Sequence, residues 1–250
     1  MGGTLTQRRC ASKRKVVTVG SELSPPFVRA RRPEHKQQRR EAILEAARDL
    51  ALRRGVRTIT LGDLADAVGL AKSNVVRYFG TREEIFVELC SDEGLVLRDV
   101  LLPRLADVTE ETLPAVLAGT LMEHELFCEL VSQLTTNLEY NVSYAAAERL
   151  KVSSTIVIGE LAQALAARPV GLDVDQAARL ITATSQIGAG LWSASRPSEV
   201  VLEVYAAHPE IVPSGSVQAT LERLVAALAV GLRAEPPMSA TGAARHTVKA

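Results

Sequence analysis

Two short stretches of helical periodicity joined by a single glycine constrain this chain more than any other feature. Leu61, Leu64, Ala65 and Val68 stand at i, i+3, i+4 and i+7, the apolar stripe of a short amphipathic helix. Gly69 ends that helix, because only glycine takes a positive φ without steric cost at so tight a corner. A second helix is predicted over residues 71–78, with Lys72, Ser73, Asn74 and Arg77 facing out and Val75 facing in. Small Ala65 where the helices cross, Gly69 in the turn and β-branched Val75 as the wedge make the spacing of a helix-turn-helix. Such a pair presents its second helix to the major groove of double-stranded DNA.

The flanking residues extend the unit. Ile43, Leu44, Ala47, Leu50 and Ala51 repeat at helical spacing and predict a first helix from about Arg39, ended by Gly55 after the basic pair Arg53 and Arg54. Thr60 with Asp63 has capping-box spacing for the next helix, and Thr81 with Glu84 repeats the device ahead of a fourth helix through Ile85, Phe86 and Leu89.

The stretch "REAILEAARDLALRRGVRTITLGDLADAVGLAKSNVVRYFGTREEIF", residues 40–86, resembles the tetracycline-repressor (TetR) family of bacterial regulators. The Thr ahead of the second helix, the pair Tyr78-Phe79 and the Thr-Arg-Glu-Glu that follows carry the resemblance most closely. Ala71 stands where the family usually has a Ser or Thr cap, and Val76 where it usually has an aromatic residue. The resemblance implies an all-α protein: an N-terminal three-helix head with the helix-turn-helix, and a larger helical C-terminal domain for dimerisation and ligand binding. It implies base-facing or groove-facing roles for Lys72, Ser73, Asn74 and Arg77, and phosphate contacts for Thr60, Tyr78 and Arg82. It further implies a homodimeric repressor on a palindromic operator, released when a small effector shifts the fourth helix.

Beyond the head the chain reads as helices over about 82–101, 112–138 (broken near His124), 141–167, 173–194, 199–207 and 216–232. The expected division is a basic tail (1–35) without fold, a DNA-binding domain (36–96), a ligand-binding and dimerisation domain (97–235) and a second tail (236–250). Ala183, Gly188, Ala189 and Gly190 in one late helix, and Ala226, Ala227, Ala229 and Gly231 in the last, let helices approach closely. In the resembling family the last two long helices pair with their twins. Gln133, Asn137, Tyr140, Asn141, Tyr144 and Trp192 put polar tips into apolar stretches and are the candidate effector contacts. Each also has a plainer role, Asn141 as a helix cap and the tyrosines as core rings.

Charge and composition limit the other function classes. Residues 1–40 hold 11 Lys or Arg against 2 acidic residues, whereas residues 91–250 hold 11 against 19. Basic charge gathered beside a helix-turn-helix is the footprint of phosphate binding. No apolar run approaches the ~20 residues that span a bilayer, and three widely spaced cysteines argue for reduced thiols in the cytoplasm. His124 and Cys128 stand at i, i+4 without a third ligand nearby, so no metal is expected, and no cofactor. The nucleotide-binding, nucleophile-elbow and zinc-protease signatures are missing, so no enzyme is expected. The alternative from another class is a protein-interaction adaptor that uses its helix-turn-helix without specific DNA binding.

Overall fold

A computed structural model of the chain describes residues 33–134 and 136–236. The basic stretch ahead of residue 33, with Cys10, and the tail after residue 236 lie outside the described residues. Ten α-helices and no strands make up the described part: α1 (Pro33–Arg54), α2 (Leu61–Ala67), α3 (Lys72–Phe79), α4 (Arg82–Arg104), α5 (Leu113–Glu123), α6 (Glu125–Leu134), α7 (Tyr144–Ala166), α8 (Val174–Ala194), α9 (Glu199–Ala207) and α10 (Val217–Ala234). Short 3-10 turns at Val56–Thr58, Leu138–Asn141 and Pro209–Ile211 complete the chain.

Most helix starts follow from local chemistry. Thr60 and Asp63 cap α2 reciprocally, and Asp173 with Gln176 does the same for α8, satisfying backbone donors that have no partner inside the helix. His124, at φ −105° and ψ 64°, breaks α5 from α6. Three boundaries differ from the periodicity. Helix α1 begins at Pro33, inside the stretch expected to be tail; proline suits a first turn because its missing N–H is not needed there. Helix α4 runs through Pro103 and ends only at Arg104, so the proline gives up a single i→i−4 bond one residue before the helix stops. The cap of α7 is Ser143, whose hydroxyl accepts from Ala146 N–H at 3.4 Å; Asn141 sits in the preceding 3-10 turn.

Two apolar clusters organise the interior. One joins Ile43, Ala47, Leu64, Val75, Phe79, Ile85 and Phe86 of the head to Leu126, Leu130, Leu138 and Leu150 from α6, the second turn and α7. The other gathers Leu101, Leu105, Leu117, Leu165, Leu180, Leu221 and Val225 from α4, α5, α7, α8 and α10. Helix α4 passes unbroken from the first cluster, at Cys90, to the second, at Leu97, so a division at residue 96 falls within a helix. Helices α8 and α10 pack on each other and on α5, whereas α9 buries no residue. No helix among the described residues is long and apolar enough to cross a membrane.

Candidate nucleic-acid interface

The turn between α2 and α3 is closed by backbone geometry. Gly69 has φ +63°, its N–H bonds Asp66 O at 3.2 Å, and Leu70 N–H reaches back to Ala65 O at 2.9 Å. These two bonds satisfy the last carbonyls of α2 and turn the chain sharply. Ala65 is buried where the helices cross, and Val75 and Phe79 fill the space beneath α3. Lys72, Ser73, Asn74, Val76 and Arg77 are left exposed along the outer face, with Tyr78 half-buried at its end. Neither Lys72 nor Arg77 has an ion-pair partner among the described residues, so the outward charge of α3 is positive. Ala71 starts the helix with no side-chain cap bond, as the missing hydroxyl requires.

Arg40 holds this helix in place. Its guanidinium donates to Tyr78 O at 2.5 Å, pairs with Glu88 of α4 and lies 4.1 Å over the Phe79 ring. One side chain of α1 thereby satisfies an end carbonyl of α3 and ties three helices together. The sequence reading passed over it; an arginine matched to a carboxylate 48 positions away leaves no local signal.

Two expected phosphate contacts are committed elsewhere. Arg82 turns inward, donating from Nε to Ile59 O at 2.5 Å and from Nη2 to Val56 O, pairing with Glu83 at 3.1 Å and stacking 4.7 Å over Phe86. Val56 O otherwise accepts only the long 3-10 bond from Ile59 N–H at 3.4 Å, and Ile59 O lies just past the turn, so Arg82 braces the 3-10 turn. Thr60 accepts from Asp63 N–H at 3.2 Å and donates its own hydroxyl proton to Asp63 Oδ2 at 2.6 Å, which leaves no donor for a phosphate. Those bonds, with Arg54 at 3.0 Å, hold the Asp63 carboxyl well below the usual carboxylate range.

The six candidate effector contacts are not brought together. Tyr140 and Tyr144 are 82% and 81% exposed, and the Tyr144 hydroxyl rests 3.3 Å from Glu148. Asn137 is exposed ahead of the 3-10 turn. Asn141 serves the head: its amide donates to Glu83 at 3.0 Å and its carbonyl accepts from Thr81 at 2.8 Å. Glu84, expected to complete a capping box, instead accepts from Ser143 N–H at 2.9 Å. These bonds commit Asn141 to docking the start of α7 on the start of α4, while Asn137, Tyr140 and Tyr144 face solvent. Gln133 and Trp192 do share a cleft, of about 320 Å³, between head and body. Burial pushes the Cys90 and Cys128 thiols up to about 12, and Cys128 Sγ donates to Leu121 O at 3.5 Å, the behaviour of small packed side chains.

Comparison with known proteins places this geometry. The model of "Bacterial regulatory proteins, tetR family" matches residues 43–89, and that of "Tetracyclin repressor-like, C-terminal domain" matches residues 99–236. An uncharacterized HTH-type transcriptional regulator of Bacillus subtilis, YfiR, is 38% identical over 65 residues, which span 25% of this chain and 32% of the relative. The Thermus thermophilus repressor FadR, solved with lauroyl-CoA, shares the fold with a TM-score of 0.51 at 17% identity, over 80% of this chain and 98% of that one. The Bacillus halodurans fatty acid degradation regulator FadR gives 0.48 at 17% identity, over 76% and 94%. With both its head and more than half its length matched to one family, the chain belongs to the TetR family of bacterial transcriptional regulators.

Proposed function

We propose that the protein acts in the cytoplasm as a homodimeric repressor that reads a palindromic operator with α3 and is released by a small-molecule effector. The observation that carries the reading is the exposed, cationic and polar face of α3, Lys72, Ser73, Asn74 and Arg77, raised on a buried Val75–Phe79 wedge. Asparagine and arginine there match the adenine and guanine edges of the major groove, and half-sites one helical turn apart fit a two-fold dimer. Tyr78, half-buried at the end of α3, supplies a phosphate contact beside them.

Selection from a random duplex library tests the reading. The protein should enrich a palindrome, and Asn74→Ala or Arg77→Ala should relax base preference by roughly 1–3 kcal/mol each. Tyr78→Phe should weaken all sites alike. A library that emerges unenriched would favour the adaptor alternative.

A further inference from the structure

The cleft between head and body is built unlike the rest of the surface. Leu52 and Arg57, from the end of α1 and the turn after it, face Gln133 of α6 and Trp192 and Arg196 at the end of α8. The accessible charged groups of its lining call for a ligand rich in acceptors.

The Trp192 ring forms part of the wall, while its indole N–H is shut off from solvent and lies behind the surface a ligand would meet. Arg196 is held in place, stacked 4.0 Å over the Trp192 ring and 2.8 Å from Glu125, which leaves further guanidinium N–H groups unassigned. Arg57 is exposed and unpaired among the described residues, while Arg53 and Arg54 beside it have Asp49 and Asp63. The two carboxylates of the cleft are already engaged, Glu125 by Arg196 and Glu129 by the Val56 N–H at 2.5 Å. Arg53, Arg57 and Arg196 stand against Glu125 and Glu129 in the lining, an excess of one positive charge. Leu52, 64% exposed, adds an apolar wall, and about 320 Å³ lies at the small end of ligand sites.

We propose that this cleft binds a small organic oxyanion, a carboxylate or phosphate monoester on a compact apolar body, between Arg57 of the head and Arg196 of the body. The site rests on the reading of the chain as an effector-governed regulator and supplies the chemical class of the effector. Its position gives it leverage. The Val56 peptide is pinned by Glu129 on its N–H and by Arg82 on its carbonyl, and Glu129 lines the same cleft. An anion seated there adds negative charge beside Glu129, disfavours its ionised form and loosens the grip on the turn that leads into α2.

The chain contains one tryptophan, so fluorescence reports on this cleft alone. Titration of the full-length protein with benzoate, and separately with phenyl phosphate, should change Trp192 emission saturably, whereas neutral benzyl alcohol should not. Whichever anion saturates at the lower concentration identifies the headgroup. Arg57→Gln and Arg196→Gln, checked for an unchanged helical signal and melting curve, should each weaken the response about tenfold or more. Emission indifferent to both anions, an equal response to benzyl alcohol, or a response intact in both variants overturns the site. Operator selection by the ligand-free protein separates the two readings: DNA binding without an anion response leaves the regulator standing and removes this cleft as its sensor.

Discussion

Arginines and carboxylates of similar sequence context play opposed parts in this head. Arg77 faces out with no partner among the described residues, while Arg82, five positions on, is spent on two backbone carbonyls. Hydrogen bonds from a charged donor to buried carbonyls are worth about 1.5–3 kcal/mol, and the carbonyls left behind are costly. Arg82→Gln should therefore lower stability by about 2–3 kcal/mol in a denaturant melt. It should leave the salt dependence of operator binding unchanged, because no phosphate contact is lost; a flattened slope would restore Arg82 to the DNA surface. Asp63 gives a pH dependence. Its folded value lies below the ordinary 3.8 because of the Thr60 hydroxyl and N–H and Arg54, so its contribution is present above that value and lost as pH falls toward the folded one. The melting-temperature gap between the native protein and Asp63→Asn should stay constant above about pH 5 and shrink below about pH 4.

Glycines on helices separate in the same way. A Cβ on Gly188 of α8 would lie 2.3 Å from Leu121 Cδ2 and 3.1 Å from Leu221 Cδ2, so this residue lets α8 approach α5 and α10. A Cβ on Gly159 of α7 would meet nothing within 4 Å. Gly188→Ala should destabilise by about 1–3 kcal/mol through overpacking. Gly159→Ala should stabilise by about 0.5–1 kcal/mol, since alanine loses less freedom on entering a helix. Chemical denaturation of the two variants side by side checks the opposite signs. The late-helix glycines read alike as small residues in sequence, yet Gly188 faces this chain's own core and Gly190, two residues and about 200° of helix further on, faces out.

An apolar face remains uncovered among the described residues. Leu224, Ala227, Val230 and Gly231 lie exposed along α10, and Gly190 opens on the outer side of α8. Val230, 63% exposed, continues with Leu224 and Ala227 an apolar strip that the proposed dimer would cover. Gly190→Glu should leave the helical signal and melting of the chain intact while raising the dimer dissociation constant at least tenfold, equivalent to about 1.4 kcal/mol. Sedimentation across a concentration series measures it. A native protein that sediments as a monomer at micromolar concentration would take these helices out of the account of operator binding.

Much of what is decided within one helical turn was legible in the residues. The capping box at Thr60, the glycine turn at Gly69, the break at His124 and the inward Val75 depend on neighbours three or four positions away, and periodicity records those, whereas the box at Thr81 and the cap of α7 came out differently. The family and the all-helical class followed. What required the tertiary structure was the destination of polar side chains whose partners are distant in sequence. Arg40 meets Glu88, Asn141 meets Glu83, Ser143 meets Glu84 and Val56 meets Glu129, across separations of 48, 58, 59 and 73 positions. Such pairs form because packing brings distant groups together, and for Arg40–Glu88 and Val56–Glu129 it also takes them partly out of water. No spacing rule within a segment encodes that choice, so Asn141 is committed to the joint between α4 and α7, Tyr140 and Tyr144 are left at the surface, and the cleft at Trp192 emerged only when head and body were placed together.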